Sequence, residues 1–268
     1  MDTREQLELP ESRSVSVTSD IAANVGGKIW LAALNLGFTP IYLTLLGVEA
    51  FGLIGFYSTL LIAFTLFDVG LSSTLNREMA RSFHDPHGTE LRRDLLKTLQ
   101  AIYFLITVAM IVAAITGAGL IAHYWVKPDK LSPGTIEVAV QFMGIATAFQ
   151  MLFAFYSGGL LGLRKQVLYN IVNAAVATLR FAGSVLVLFV FSRTVEAFFL
   201  WQAAVNAFGA VAIACILWRV IPRVGRRARF SCGLLSSNWR FAGGLWATTV
   251  AGFLLGQADK VVVSKIAS

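Results

Sequence analysis

The chain has 268 residues, of which 56% are hydrophobic and only 14% are charged, and its formal net charge at pH 7 is +7. Soluble domains carry about 25% charged residues, so this composition excludes a soluble globular domain. The positive charge is distributed in a way that indicates membrane topology, and the sequence predicts no nucleic-acid partner.

Long apolar stretches follow one another along the sequence. A helix that crosses a bilayer needs about 20 consecutive apolar residues. Stretches of sufficient length are Ile21–Leu46, Phe51–Leu75, Leu95–Val126, Thr135–Leu163, Val167–Phe191, Val195–Ile221 and Phe241–Ile266. The sequence therefore predicts an all-α integral membrane protein with short loops.

These stretches predict four regions. Residues 1–20 have no apolar signal-peptide core and are expected to form a flexible cytoplasmic tail. Residues 21–221 contain six spans and form a first transmembrane lobe. Residues 222–240 form a basic cytoplasmic linker that lies against anionic headgroups, and residues 241–268 begin a second, truncated lobe.

Lysine and arginine are concentrated in alternate loops. The loops that follow the second, fourth and sixth spans contain Arg77, Arg81, Arg92, Arg93, Lys97, Arg164, Lys165, Arg219, Arg223, Arg226, Arg227, Arg229 and Arg240. The intervening loops contain only Lys127, Lys130 and Arg193. The positive-inside rule places these even-numbered loops and the N-terminus in the cytoplasm.

Polar side chains recur on one face of three spans, at the spacing of helical turns. They are Asn24, Lys28, Asn35, Thr39 and Tyr42 in the first span, Ser58, Thr65, Asp68, Ser72 and Asn76 in the second, and Asn170, Asn173, Arg180 and Ser184 in the fifth. Such stripes predict helices that line a common interior. Hydroxyl and amide groups can instead join helices to one another.

The ionisable residues carry the functional hypotheses. A guanidinium such as that of Arg180 near the centre of a span costs about 2.5–3.5 kcal/mol, so it must be paired or must face a cavity. An ion pair of Asp68 with Arg180 or with Lys28 is the main alternative to a transport role. Pro40 interrupts the first span and is either a hinge or a fixed bend.

Catalytic patterns were not found. His84, His87 and His123 lack a nucleophile or a carboxylate at recognisable spacing, and the loop around the first two is better explained as a solvated turn than as a metal site. No nucleotide-binding fingerprint occurs. We therefore predict a protein that is not an enzyme and needs no cofactor or metal.

Several short motifs resemble a known family. They are Leu46–Gly52 (LGVEAFG), Phe67–Leu71 (FDVGL), Asn76–Glu78 (NRE), Gly162–Gln166 (GLRKQ) and Gln257–Lys260 (QADK). The chain resembles polysaccharide-biosynthesis flippases of the O-antigen translocase (Wzx) type, within the multidrug/oligosaccharidyl-lipid/polysaccharide exporter superfamily.

The resemblance implies two six-helix lobes around a central cavity, so the chain is expected to be a truncated member. It implies flipping of undecaprenyl-diphosphate-linked oligosaccharides across the bacterial inner membrane by alternating access. The implied partners are the lipid-linked oligosaccharide, the bilayer, and the polysaccharide polymerase and glycosyltransferase machinery.

The resemblance and the stripes together assign candidate roles. Substrate-binding candidates are Lys28, Asn35, Asn76, Arg77, Asn173 and Arg180. Asp68, Asp259 and Lys260 are candidates for ion coupling or for charge pairs, and Pro40 is a candidate hinge.

Three alternatives remain open. The chain could be a cation-coupled drug exporter, a lipid II flippase, or a non-functional fragment or membrane scaffold. Basic cavity residues favour an anionic lipid-linked substrate over a cationic drug.

Overall fold

A computed structural model of the chain describes the backbone of residues 11–82, 88–124, 131–223 and 225–266, and the side chains of residues 20–82, 88–123, 131–223 and 225–256. The elements are α1 (Glu11–Phe64), a 3₁₀ turn (Thr65–Asp68), α2 (Leu71–Arg81), α3 (Gly88–Tyr124), α4 (Pro133–Gly162), α5 (Gln166–Val190), α6 (Val195–Val220) and α7 (Cys232–Ile266). The described residues contain no strand, which confirms the all-α prediction.

Five segments of the described chain are long and apolar enough to cross a membrane: Asp20–Asp68, Gly88–His123, Pro133–Gly162, Gln166–Val190 and Val195–Val220. The first has 49 residues, enough for two crossings of about 20 residues each. The protein is therefore a multi-pass membrane protein. The seventh predicted span lies in α7, whose side chains are described only as far as Gly256, and its crossing stays a prediction.

The chain turns back on itself within α1. At Gly47 the backbone dihedrals are φ 83° and ψ 169°, a conformation that residues with a Cβ atom rarely adopt. Asn35 and Ser58 lie on opposite sides of Gly47 and yet line one cavity, which a straight helix would not allow. The first two predicted spans are thus two helical segments that are joined at Gly47.

The second predicted span, Phe51–Leu75, is not one continuous helix as expected. After the 3₁₀ turn, Val69 (φ 49°) and Gly70 (φ 70°) are left-handed, and α2 then continues in a new direction. A Cβ atom at Gly70 would lie 2.6 Å from the carbonyl oxygen of Ala242, so the glycine also allows α7 to approach. Hydropathy did not reveal this break because most residues around it are apolar.

Helix α4 is the centre of the lobe. It packs against α2, α3 and α6, and its small residues allow this proximity. A Cβ atom at Gly158 would lie 2.6 Å from the carbonyl oxygen of Ser72 in α2. The helix begins where the Ser132 hydroxyl accepts a hydrogen bond from the Thr135 amide at 3.1 Å, with Pro133 in the first turn.

The basic linker is attached to the lobe. The guanidinium of Arg226 donates to Glu90 at 2.8 Å and to Asp94 at 2.6 Å, both in α3. These hydrogen bonds to Asp94 and Glu90 raise the pKa of Arg226. The Ser231 amide donates to the Thr98 hydroxyl at 3.0 Å. The linker thus packs on protein, and its contact with the membrane surface stays a prediction.

Two helix ends differ from the predicted region boundaries. Helix α1 begins at Glu11, so residues 11–20 of the expected flexible tail are helical. The preceding residue in the sequence is Pro10, and proline is well tolerated before or within the first turn of a helix. Helix α7 begins at Cys232, within the expected linker, where the Ser231 hydroxyl accepts a hydrogen bond from the Leu234 amide at 3.4 Å.

Candidate functional site

A cavity of about 340 Å³ lies between α1, α5 and α6. Its polar lining consists of Asn35, Thr39, Tyr42, Ser58, Tyr57, Arg180 and Gln202, and its walls are completed by apolar side chains of the same helices. Residues from all three predicted polar stripes therefore meet in this cavity, which is called the central cavity below.

Arg180 is the only charged side chain among the described residues that line the central cavity. It lies about 15 Å from the end of α5 at Val190, which is too far for easy access to the headgroups. Its Nη1 donates to the amide oxygen of Gln150 at 3.2 Å, and its guanidinium carbon lies 5.4 Å from the centre of the Phe181 ring. Among the described side chains, none forms an ion pair with it.

Hydrogen bonds fix the turn of α5 that carries Arg180. The Ser184 hydroxyl donates to the Arg180 carbonyl at 2.6 Å, and the Gln202 amide of α6 donates to the Ser184 hydroxyl at 3.1 Å. From α1, the Tyr42 hydroxyl donates to the Phe181 carbonyl at 2.9 Å. Hydrogen bonds from α1 and α6 therefore fix the backbone of α5 that carries the Arg180 guanidinium.

A second cavity, of about 270 Å³, contains two further predicted site residues. Asn76 and Asn173 line it together with Gln150 and Tyr169. Gln150 therefore contacts both this cavity and Arg180. No carboxylate occurs among the described residues that line either cavity.

A third cavity, of about 300 Å³, lies between α2, α3 and α7 and is strongly basic. Arg77, Arg81 and Arg92 line it, together with Glu78. Arg77 lies 3.7 Å from a Glu78 carboxylate oxygen, and its guanidinium is 3.9 Å from the centre of the Phe241 ring. Arg77 is thus in a separate cavity from Arg180, at the end of the lobe where the basic loops gather.

Asp68 has neutral partners. Its carboxylate accepts hydrogen bonds from the Tyr103 hydroxyl of α3, at 2.9 Å, and from the Ser72 hydroxyl. The described side chains include no ion pair of Asp68 with Arg180 or Lys28, so the ion-pair alternative is wrong for this structure. Asp68 is the last residue of the 3₁₀ turn, and there its carboxylate faces α3.

Lys28 is exposed on α1, close to a contact between α1 and α5. The Asn24 amide donates to Gln166 at 2.9 Å, and the Asn170 amide donates to Asn24 at 2.7 Å. Asn24 and Asn170 thus join α1 to α5, which is the alternative role that the sequence allowed for amide groups. Only the later part of the α1 stripe lines the central cavity.

The remaining candidates have less structural context. Pro40 lies inside α1, and the backbone leaves helical geometry only at Gly47, so a hinge at Pro40 stays a prediction. Asp259 and Lys260 belong to α7, but their side chains, like all of His84 and His87, lie outside the described residues. The described residues contain no group of histidine, cysteine and acidic side chains suited to a metal ion.

Sequence reasoning missed polar residues of the fourth and sixth spans. Gln150 holds Arg180, and Gln202 supports Ser184. Asn206 is buried, donates to the Ala146 carbonyl at 3.0 Å, and has an amide oxygen without a described hydrogen-bond donor. The available signal was the presence of these amides within otherwise apolar helices.

Comparison with protein families gives a match to a family described as polysaccharide biosynthesis protein, over residues 17–268. Comparison with curated proteins and with solved structures found no match. The matched region contains all the cavities described above and nearly the whole chain. The chain therefore belongs to the polysaccharide biosynthesis protein family.

Proposed function

We propose that this protein translocates undecaprenyl-diphosphate-linked oligosaccharide units across the bacterial inner membrane by alternating access, with its N-terminus in the cytoplasm. It acts as a transporter of the O-antigen translocase type, and neither catalysis nor a cofactor is part of the proposal. The observation that carries the proposal is Arg180, a cation that has no acidic partner among the described residues and lines a cavity at the middle of a span. Family membership supports the role in polysaccharide synthesis.

The charge of the central cavity favours an anionic substrate. A planar guanidinium can bind two phosphate oxygens at once, and the interaction is stronger where water is scarce. A cation-coupled drug exporter would need acidic groups in the cavity, and none lines it among the described residues. A diphosphate-linked lipid matches the observed charge.

The three cavities suggest an order of contacts. Arg77, in the basic cavity, would attract the diphosphate at the cytoplasmic side, and Asn76 and Asn173 would bind sugar hydroxyls in the second cavity. Arg180 would then hold the diphosphate at mid-membrane, with Asn35 beside it. In the proposal, this lobe works with a second lobe that begins in α7, and it passes its product to the polymerase machinery.

In the proposal, other residues add positive charge, bind the coupling cation, or allow the conformational change. Lys28 would add positive charge on the same face of α1 as Asn35. Asp68, with its neutral partners, is available to bind a coupling cation, as Asp259 and Lys260 would be from α7. Pro40 would allow α1 to bend between the two states of the transport cycle.

The test is restoration of surface polysaccharide in a bacterial strain that lacks its own flippase, with the protein expressed from its complete open reading frame. We expect Arg180→Ala to lower the surface polysaccharide at least about tenfold, the range for losing a charge-assisted hydrogen bond to phosphate. Arg180→Lys keeps the charge but not the bidentate geometry, and should retain part of the activity.

Arg193→Ala is the matched control, because it removes the same charge from an exposed residue outside the described cavities. Rescue by Arg180→Ala equal to that of the unaltered protein would disprove the role of the central cavity. Rescue of a strain depleted of its lipid II flippase would favour that alternative, and drug resistance without polysaccharide rescue would favour the exporter.

A further inference from the structure

A groove of about 540 Å³ runs along the outside of the lobe, away from the central cavity. Helices α3 and α6 form its sides, and Leu152 and Tyr156 of α4 form its buried floor. Phe104 and Val211 on the rims are 59% and 61% exposed. In a membrane protein these exposed apolar rims face lipid chains.

One end of the groove is basic. Arg93, Arg219 and Arg223 line that end, and no carboxylate occurs among the described lining residues. Arg219 and Arg223 are exposed and form no ion pair with a described residue. The Nε–H of Arg93 is buried and has no acceptor among the described residues. Among its described lining residues, the groove thus provides positive charge at one end only.

The length of the groove matches one leaflet of a bilayer. From Arg93 to Phe104 the axis of α3 rises about 17 Å, and half of a bilayer's hydrocarbon core is about 15 Å thick. Trp218 lies near the basic end, where its indole donates to Gln100 of α3 at 3.0 Å and faces the Arg93 guanidinium at 5.3 Å. Tryptophan is typical of the boundary between headgroups and acyl chains.

We propose that this outer groove is a binding site for one anionic phospholipid of the cytoplasmic leaflet. The phosphate group lies among the three arginines, and an acyl chain lies along the apolar floor between α3 and α6. This lipid is a component of the surrounding membrane and is separate from the substrate of the central cavity. A zwitterionic phospholipid offers the same acyl chains but lacks the net negative charge that the basic end selects.

The experiment uses Trp218 as a contact probe. The protein is reconstituted in vesicles with Trp218 as its single tryptophan, the other five being replaced by phenylalanine, and its fluorescence is quenched by brominated lipids. We expect brominated phosphatidylglycerol to bind at least roughly fivefold more tightly than brominated phosphatidylcholine, since one basic residue near anionic lipid contributes about 1 kcal/mol.

The charge requirement is tested with Arg219→Gln and Arg223→Gln, each of which should lower the preference by roughly fivefold. The Arg219→Gln, Arg223→Gln double variant has a matched control in the Arg164→Gln, Lys165→Gln double variant, which removes the same two charges from another basic loop and should keep the preference. Equal quenching by the two lipids, or an equal loss in the control, would overturn the proposal. So would displacement of the brominated lipid by millimolar inorganic phosphate.

A second measurement avoids the tryptophan substitutions. Mass spectrometry of lipid that remains on the purified protein after detergent washing should show phosphatidylglycerol enriched over phosphatidylcholine from mixed vesicles. The Arg219→Gln, Arg223→Gln protein should lose that enrichment. Retention of the enrichment in this variant would contradict the site.

Discussion

Arg180 lies inside a span with polar but no acidic partners among the described residues. Its guanidinium donates to Gln150, lies against the Phe181 ring, and lines a cavity of about 340 Å³, which has room for water. An acidic partner would have neutralised the charge and left little attraction for an anion. The absence of such a partner among the described residues is therefore the feature on which the proposed role of Arg180 in binding rests.

Asp68 presents the opposite case, an anion held by two hydroxyl groups. We expect Asp68→Asn to keep an acceptor oxygen for Tyr103 and Ser72 and to cost about 1–2 kcal/mol of stability, because neutral hydrogen bonds are weaker than charged ones. If the carboxylate binds the coupling cation, polysaccharide export should fall at least about tenfold.

The matched control for this carboxylate is Tyr103→Phe, which removes one of the two hydrogen bonds and leaves the charge of Asp68. It should lose a similar amount of stability, measured as the apparent Tm in detergent, and should keep export. Export by Asp68→Asn at the level of the unaltered protein would remove Asp68 from the coupling mechanism.

At the level of helices, α4 organises the lobe through its small residues. A methyl group at Gly158 would meet the backbone of Ser72, which cannot move without shifting α2. We expect Gly158→Ala to destabilise the protein by about 1–3 kcal/mol, the usual cost of overpacking. Thermal unfolding in detergent, followed by size-exclusion chromatography with fluorescence detection, measures the loss.

Gly117→Ala in α3 is the control for helix packing, because nothing lies within 4 Å of the added methyl group. It should be neutral or should stabilise the helix by up to about 1 kcal/mol through higher helix propensity. Equal behaviour of the two alanine variants would show that the contact between α2 and α4 is looser than the structure implies.

The sequence predicted helix boundaries well where a change in hydropathy marks them, and it missed a helix break that depends on backbone dihedrals. The predicted spans Val167–Phe191 and Val195–Ile221 agree with α5 and α6 to within one residue at each end. The left-handed pair at Val69 and Gly70 was missed, because hydropathy carries no information on backbone dihedrals and the contact of Gly70 with α7 is a tertiary one. Helical spacing also did not predict that Asp68, the last residue of the 3₁₀ turn, contacts Tyr103 of α3.

The central cavity was predictable in part. Helical spacing brought Asn35 and Arg180 together correctly, since both belong to uninterrupted helical stretches. It did not reveal Gln150, because the two amides of α4, Gln141 and Gln150, are nine residues apart and lie on opposite faces of the helix. Three-dimensional packing was needed to show that Arg77 occupies a cavity of its own.

For the whole molecule, the asymmetry of basic residues predicts the orientation in the membrane. Lys165, between α4 and α5, and Arg193, between α5 and α6, are both exposed and lie at opposite ends of α5. The positive-inside rule places the first in the cytoplasm and the second outside.

Single cysteines can test this orientation directly. In a background with Cys215 and Cys232 changed to alanine, we expect a membrane-impermeant maleimide to label Arg193→Cys in cells whose outer membrane has been permeabilised. Lys165→Cys should be labelled only after lysis, because the inner membrane then no longer shields it. Labelling of both variants in lysed cells shows that each thiol is reactive. The reverse pattern in unlysed cells would invert the topology, and it would move the basic cavity and the arginines of the outer groove to the opposite leaflet.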